Sequence, residues 1–171
     1  AISLLTTHYD KVAEYAKLHY QIIGLRDVDT EQIRRELSVT DEGSEIYAAN
    51  HSEGQPVPVS PDIEELISFA LSMAEETGGA LDPTIYPVLT AWGFTTEERR
   101  VPTQSEIAAL LPLVDYERIQ LSEGQLTVPQ GAAVDLGAVA KGYTGDRVAA
   151  FLKEQGVTSA LINLGGNMWC L

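Results

Sequence analysis

The sequence predicts an α+β fold in which helices flank a mixed sheet. Helical patterns dominate up to residue 111 and short strand patterns follow, with no regular strand–helix–strand alternation. The length of 171 residues falls within the roughly 100–200 residues typical of one domain, and we predict a single domain over residues 1–171. With 44% hydrophobic and 21% charged residues, the composition is that of a globular protein with a substantial core.

The composition also excludes several functions. Eleven basic residues against 25 acidic ones leave a net charge of −14, and the basic residues cluster in pairs at most. Because nucleic-acid binding depends on basic patches that neutralise phosphates, nucleic acid is excluded as a partner. The longest apolar stretch, 108–114, is far shorter than the ~20 residues of a membrane helix. A single cysteine, Cys170, excludes an intrachain disulfide and a cysteine-based zinc site.

The chain opens with a predicted strand and two helices. Ile2–Thr6 has the pattern of a short strand. Asp10 is placed to cap a helix over Lys11–Ile23, which Gly24 ends. Thr30–Leu37 predicts a second, shorter helix.

The next region contains the strongest helix signal of the sequence. Ser44 predicts the cap of a short helix over Glu45–Asn50, and residues 51–59 are expected to form a loop. Ser60-Pro61-Asp62 then combines a capping residue, an N-terminal proline and an acid, and Thr77-Gly78-Gly79 predicts the end of the helix. Between them, apolar residues repeat with the spacing of one helix face: Ile63, Leu66, Ile67, Ala70, Leu71 and Ala74.

Two short helices and a hairpin follow. Pro83–Ala91 predicts a helix, and a capping box over Thr103–Glu106 predicts the start of another. Alternation over Tyr116–Leu121, a glycine-containing loop and Gln125–Val128 together predict a β-hairpin.

The last region has the order strand, helix, strand, strand. The predicted elements are a strand over Ala133–Leu136, a helix over Gly137–Gln155, a strand over Ser159–Leu164 and the start of a strand over Met168–Leu171. Because the sequence stops within a strand pattern, we expect the C-terminal part of the fold to be absent and the fold to be incomplete.

The stretch Val134–Tyr143 carries the densest chemistry. A strand enters a glycine turn and then a helix, whose first backbone N–H groups and positive dipole end favour an anion. The sequence places Lys141 in the first turn, where the helix dipole disfavours a cation. A bound anion opposite Lys141 would explain this placement. A lysine that extends into solvent is the alternative.

Other stretches allow two interpretations each. Two glycines before Asp82 allow a ligand to approach the backbone, but Asp82 and Pro83 are also an ordinary helix start. Gly165-Gly166 after a strand predicts either a ligand contact or a turn. Trp92-Gly93-Phe94 offers rings for stacking or for the core.

These motifs, in this order, resemble one family. They are Ser44-Glu45-Ile46 with Asn50, Gly79–Thr84 leading to Trp92–Phe94, Asp135–Tyr143 followed by Asp146, and Leu164–Asn167. The series resembles the FAD:protein FMN transferases, the ApbE family, formerly described as thiamine-biosynthesis lipoproteins. The resemblance covers nearly the whole chain, and Asp135–Tyr143 is its most specific motif.

The resemblance implies an ApbE-like fold and a Mg²⁺-dependent enzyme. Such enzymes bind FAD, transfer FMN to a threonine hydroxyl of an acceptor flavoprotein and release AMP, whereas some members hydrolyse FAD. A non-catalytic FAD-binding module or an FAD pyrophosphatase is therefore the alternative. By similarity, Lys141 is the catalytic residue beside the phosphates and the Ala138 carbonyl is a magnesium ligand. The implied cofactor-binding residues are Asn50, Asp82, Thr84, Asp135, Ala138, Lys141, Gly165 and Gly166.

The sequence departs from the family pattern in two ways. Family members are longer, and their second half supplies an Asp and a Thr that complete the magnesium site, so the resemblance implies an incomplete site here. Leu81 stands where the family usually has an aromatic residue. By resemblance we expect an extracytoplasmic or periplasmic location, as a lipoprotein in some cases, although no signal peptide opens this sequence.

Overall fold

The structure is a computed structural model that describes residues 2–3, 37–95, 98–164 and 166–171. These residues belong to two compact units. The central unit comprises the described residues between 37 and 140, and the carboxy-terminal unit comprises Lys141–Leu171 together with β1, Ile2–Ser3. The predicted helices Lys11–Ile23 and Thr30–Leu37 lie outside the described residues, apart from Leu37 in a turn. The single domain over 1–171 stays a prediction.

The central unit contains four helices and an antiparallel sheet among its described residues. The helices are α1 (Glu45–Asn50), α2 (Pro61–Glu76), α3 (Tyr86–Ala91) and α4 (Gln104–Leu110), and the strands are β2 (Val57–Pro58), β3 (Gln120–Ser122) and β4 (Gln125–Thr127). The sheet has the strand order β2-β4-β3. Two 3₁₀ turns, Leu111–Leu113 and Tyr116–Arg118, follow α4.

Helix α1 has the bounds that the sequence predicts, and α2 begins where predicted. The Ser44 hydroxyl caps α1 by accepting the N–H groups of Ile46 and Tyr47 at 3.1 and 3.3 Å. Ser60, the expected cap of α2, makes no capping hydrogen bond through its side chain. Its backbone N–H donates instead to Glu45 Oε2 at 2.7 Å, so that the beginnings of the two helices are linked.

The core of the central unit forms on one face of α2. Its buried residues follow the predicted periodicity, and each large apolar side chain contributes about 1.5–3 kcal/mol on burial. Gly78 and Gly79 end the helix with φ angles of 60° and 80°, which L side chains rarely adopt, and the Gly79 N–H donates to the Ala74 carbonyl at 2.8 Å. The buried α2 residues are Ile63, Leu66, Ile67, Ala70 and Ala74.

Three predicted boundaries in the central unit are wrong. Tyr116–Leu121 does not begin as a strand, because Asp115 Oδ1 accepts the Glu117 N–H at 3.1 Å and closes a 3₁₀ turn. The predicted loop 51–59 contains β2, whose Val57 pairs with Leu126. Proline is compatible with this short strand because β2 lies at the edge of its sheet. Helix α3 starts at Tyr86 and not at Pro83, since Asp82 forms a separate turn.

The predicted strand Ala133–Leu136 is also wrong as a sheet strand. Its only ladder contact among the described residues is an isolated parallel bridge between Ile85 and Ala133. The backbone polar groups of this segment bond to a side-chain amide and to a loop carbonyl, as described below, and these partners replace neighbouring strands.

The carboxy-terminal unit contains the mixed sheet that the sequence predicts. Strand β5 (Ala160–Leu164) pairs in parallel with β1 and antiparallel with β6 (Asn167–Cys170). Helix α5 (Gly137–Glu154) supplies Val148 and Leu152 to a core shared with β5. Its first four residues belong to the central unit.

Helix α5 also packs closely on β6. A Cβ atom built at Gly145 would collide with the ring of Trp169, so only glycine fits at this contact.

Within the described ranges, no helix has both the length and the apolar character that crossing a membrane requires.

Candidate functional site

The side chains of Asp82 and Thr84 form a network inside the central unit. Asp82 Oδ1 accepts the Thr84 N–H at 2.8 Å and the Thr84 hydroxyl at 2.6 Å. Its other oxygen accepts the Tyr116 N–H at 3.2 Å, and Thr84 Oγ1 accepts the Asp115 N–H at 2.8 Å. We call these four residues the Asp82 network. Thr84 is 0% exposed, so the network links the segments 82–84 and 115–116 in the interior of the central unit.

The electrostatics around this network are negative. Partial burial raises the pKa of the Tyr116 phenol above its ordinary value. The negative charges of Glu117, Glu75, Asp82 and Asp115 raise this pKa further. Carboxylates of four residues thus lie near the Tyr116 phenol in this part of the central unit.

The segment 133–135 is held on both sides. The Asp135 N–H donates to the Pro83 carbonyl at 2.7 Å, on the side where Ala133 bridges Ile85. Val134 is held by Asn50, whose Oδ1 accepts the Val134 N–H at 2.7 Å and whose Nδ2 donates to the Val134 carbonyl at 2.9 Å. The segment thus enters α5 along a fixed path.

The start of α5 is built around a carboxylate. Asp135 Oδ1 accepts the Gly137 N–H at 2.8 Å, and a Cβ atom at Gly137 would lie 2.9 Å from that same oxygen. A side chain at position 137 would therefore require the Asp135 carboxylate to move. The negative charge of Asp135 is also favourable at a helix N-terminus. Gly137 and Ala138 are exposed, so this helix start is accessible to a ligand.

Lys141 is the fifth residue of α5 and not, as predicted, part of the first turn. Its side chain is exposed. In the carboxy-terminal unit, Gly166 has a φ of 96° and donates its N–H to Asn163 Oδ1 at 2.9 Å, which is the geometry of a turn. Gly165 lies outside the described residues.

The structure thus brings part of the predicted site together. Asn50, Asp82, Thr84 and Asp135 share one hydrogen-bonded assembly in the central unit through the Pro83–Ile85 and Ala133–Asp135 backbones. Their contact with a cofactor stays a prediction, and the same holds for Ala138, Lys141, Gly165 and Gly166. Sequence reasoning missed Asp115 and Tyr116, whose partners lie 31 and 34 residues away. No local pattern marks such distant pairs.

The start of α5 presents a carboxylate and a backbone carbonyl as oxygen donors. Among the residues that the structure describes, no three His, Cys, Asp or Glu side chains are grouped to hold a metal. Mg²⁺ in proteins uses one or two carboxylates, phosphate oxygens of a substrate and several waters. The Asp135 carboxylate and the Ala138 carbonyl are donors of this type.

The Trp92-Gly93-Phe94 motif presents a pair of rings in the central unit. The two ring centroids lie 6.3 Å apart with an interplanar angle of 21°. Trp92 is partly buried, whereas Phe94 is 58% exposed. The motif therefore offers an exposed aromatic surface, although neither of its two predicted interpretations is decided by this.

Comparison with known proteins identifies the family. The model of the ApbE family matches residues 7–171, and the chain therefore belongs to the ApbE family. A relative from Klebsiella pneumoniae, named FAD:protein FMN transferase, is 36% identical over 139 residues, which cover 79% of this chain and 44% of the relative. One of the same name from Treponema pallidum is 31% identical over 144 residues, with coverages of 79% and 40%.

Solved structures agree with the predicted fold class. The ApbE protein of Thermotoga maritima is similar with a TM-score of 0.77 and 33% identity, over 81% of this chain and 47% of that protein. The flavin transferase ApbE of Vibrio cholerae gives a TM-score of 0.75 and 30% identity, over 81% and 46%. The predicted mixed α+β, ApbE-like fold is confirmed. The chain spans somewhat less than half the length of these relatives.

Proposed function

We propose that this protein is a Mg²⁺-dependent FAD:protein FMN transferase that joins FMN to a threonine hydroxyl of an acceptor flavoprotein. In this reaction the threonine oxygen bonds to the FMN phosphorus and its hydroxyl loses a proton. The bond from that phosphorus to the bridging oxygen breaks, AMP leaves with the bridging oxygen, and the proton passes to AMP or to solvent. The names of the similar proteins support the reaction class. The exposed start of α5, with the Asp135 carboxylate on its first N–H, is the observation that carries the proposal.

The start of α5 suits a diphosphate together with a divalent cation. Helix N-terminal N–H groups and the helix dipole favour phosphate oxygens, and Lys141 would add a positive charge to them. The Asp135 carboxylate alone would repel the diphosphate. Mg²⁺ held by Asp135 and the Ala138 carbonyl would remove that repulsion and neutralise charge on the pyrophosphate oxygens.

The Asp82 network has a different part in the proposal. The carboxylates of Asp82, Asp115 and their acidic neighbours disfavour a diphosphate at that position. Asp82 and Thr84 therefore support the site by fixing the Pro83 carbonyl, which holds Asp135. The phosphates are assigned to the start of α5, and not to the Gly78–Thr84 stretch.

The acceptor and the location complete the proposal. We assign the acceptor to the covalently flavinylated proteins and the location to the extracytoplasmic or periplasmic side, as a lipoprotein in some cases. Both assignments rest on the family resemblance. A fractionation of the native cells with an antibody against the protein tests the location, and recovery in the cytoplasmic fraction alone would contradict it.

The first experiment is calorimetric titration of the complete natural protein with FAD, with and without Mg²⁺. We expect binding that Mg²⁺ strengthens. An acceptor protein known to carry FMN on threonine is then added, with its Thr→Val variant as control. Flavin fluorescence of the acceptor on a denaturing gel and AMP in solution support transfer. Free FMN with AMP would indicate a pyrophosphatase, and binding without AMP a non-catalytic module; both would contradict the proposal.

A further inference from the structure

The Asn50 side chain bonds to the backbone of Val134 as a peptide group would. Its amide accepts the Val134 N–H at 2.7 Å and donates to the Val134 carbonyl at 2.9 Å. A residue on an adjacent antiparallel strand makes this same pair of bonds. Asn50 is the last residue of α1 and lies 84 residues before Val134. The Asn50 amide thus makes the two hydrogen bonds that a residue of a neighbouring strand would make.

The opposite edge of the same segment is paired with backbone. The Asp135 N–H donates to the Pro83 carbonyl at 2.7 Å, and Ala133 bridges Ile85. Successive residues of an extended chain direct their N–H and C=O groups to opposite sides. The flanking residues therefore bond on the Pro83–Ile85 side, and Val134 bonds on the Asn50 side.

We propose that Asn50 is a positioning residue that fixes the entry of the chain into α5 and thereby places Asp135 and the first N–H groups of that helix for the flavin diphosphate. The part concerning the diphosphate rests on the proposed function. Asn50 acts through the backbone of Val134, one residue before Asp135. This role does not require Asn50 to contact the flavin.

Few other side chains can replace the amide. Val134 is 1% exposed, so its N–H and C=O groups need partners within the protein. Aspartate would keep the acceptor for the N–H but would place a charged oxygen against the Val134 carbonyl. Alanine would remove both bonds and leave the Val134 N–H and C=O groups without these partners.

The test is hydrogen exchange combined with flavin titration of the complete natural protein. The variants are Asn50→Asp and Asn50→Ala, and the second serves if the first does not fold. The matched control is Ser52→Ala, which removes the bond from the Ser52 hydroxyl to the Ala49 carbonyl at 2.9 Å, just after α1. We expect amide exchange over residues 133–139 to become about tenfold faster in both Asn50 variants.

The pattern of exchange distinguishes positioning from general destabilisation. Exchange within α2 should keep the rate of the parent protein, and the affinity for FAD should fall about tenfold in the Asn50 variants but not in Ser52→Ala. Unchanged exchange over 133–139 would overturn the proposal. Faster exchange there with unchanged FAD affinity would overturn it as well. A parent protein that binds no FAD would refute the proposed function, while the exchange data would still decide whether Asn50 fixes the segment.

Discussion

Two stretches of this chain share residue types but differ in their surroundings. Gly78–Thr84 and Asp135–Lys141 each combine glycine, an aspartate and the approach to a helix. In the first, Asp82 uses both oxygens on protein donors and Thr84 is fully buried. In the second, the aspartate holds one N–H beside exposed residues. Both aspartates are half-buried, so the two cases differ in the number of protein donors on the carboxylate and in the exposure of the neighbouring residues.

The largest expected effect is on the buried stretch. Thr84→Val keeps the shape of the side chain but removes the hydroxyl that bonds Asp82 and accepts the Asp115 N–H. We expect the free energy of unfolding to fall by about 2–4 kcal/mol, because a buried N–H loses its partner. Urea denaturation measures this loss.

The matched control for this variant is Thr90→Val. Thr90 is exposed, and its hydroxyl donates to the Tyr86 carbonyl at 3.1 Å within α3. Its replacement should change stability by less than about 0.5 kcal/mol. Equal losses for Thr84→Val and Thr90→Val would remove the distinction between the buried stretch and its surroundings.

The next effect concerns binding through the exposed stretch. Lys141→Ala should weaken FAD binding about tenfold to a hundredfold, the usual value of a hydrogen bond to a charged group, without changing stability. Lys153→Ala, in the last turn of the same helix, should bind FAD as the parent does. Calorimetry measures the FAD affinity of both variants, and equal affinities would argue against a phosphate contact by Lys141.

A smaller effect with a defined sign is expected at Asp135. Asp135→Asn keeps an acceptor for the Gly137 N–H but removes a negative charge from the start of α5. FAD affinity without Mg²⁺ should rise about twofold to fivefold, and the gain on adding Mg²⁺ should shrink. Glu154→Gln, at the other end of α5, is the control in the same titrations. A drop in FAD affinity without Mg²⁺ would mean that Asp135 attracts the ligand.

The smallest effect is expected at Glu106, which belongs to an exposed network with Thr103 and Arg100. Hydrogen bonds from the Thr103 N–H, above all, and from the Arg100 and Thr103 side chains together lower the pKa of Glu106 to about 2. Because the folded pKa lies below the ordinary value of 4.5, the stabilisation is present above pH 4.5 and is lost as the pH falls toward 2. Thermal unfolding of Glu106→Gln should therefore approach that of the parent protein over this interval. A constant difference would contradict this, and FAD affinity should be unchanged throughout.

Local signals in the sequence were sufficient for the long helices. Helices α2 and α5 start where predicted because a proline after Ser60 and a glycine after Leu136 mark their first turns. The end of α2 follows from two glycines in the left-handed region. Such signals act within a few residues, which is the range that sequence reasoning covers.

Hydrogen bonds between segments that are distant in the sequence could not be predicted from such local signals. The pattern of Ala133–Leu136 predicts a strand, but its partners are the Asn50 amide and the Pro83 carbonyl, and neither can be read from alternation. The internal use of Asp82 likewise depends on the backbone N–H of Tyr116, 34 residues later. Asn50, Asp82 and Asp135 could be named from the family motifs, whereas the bonds that distinguish their roles could not.

The placement of one tryptophan in each unit also has a spectroscopic consequence. The chain contains two tryptophans, of which Trp92 belongs to the central unit and Trp169 to the carboxy-terminal unit. Replacing either one with phenylalanine leaves a single tryptophan, whose emission, excited selectively over that of the seven tyrosines, reports on one unit. The intrinsic fluorescence of this protein can thus follow the unfolding of its two units separately, without any added label.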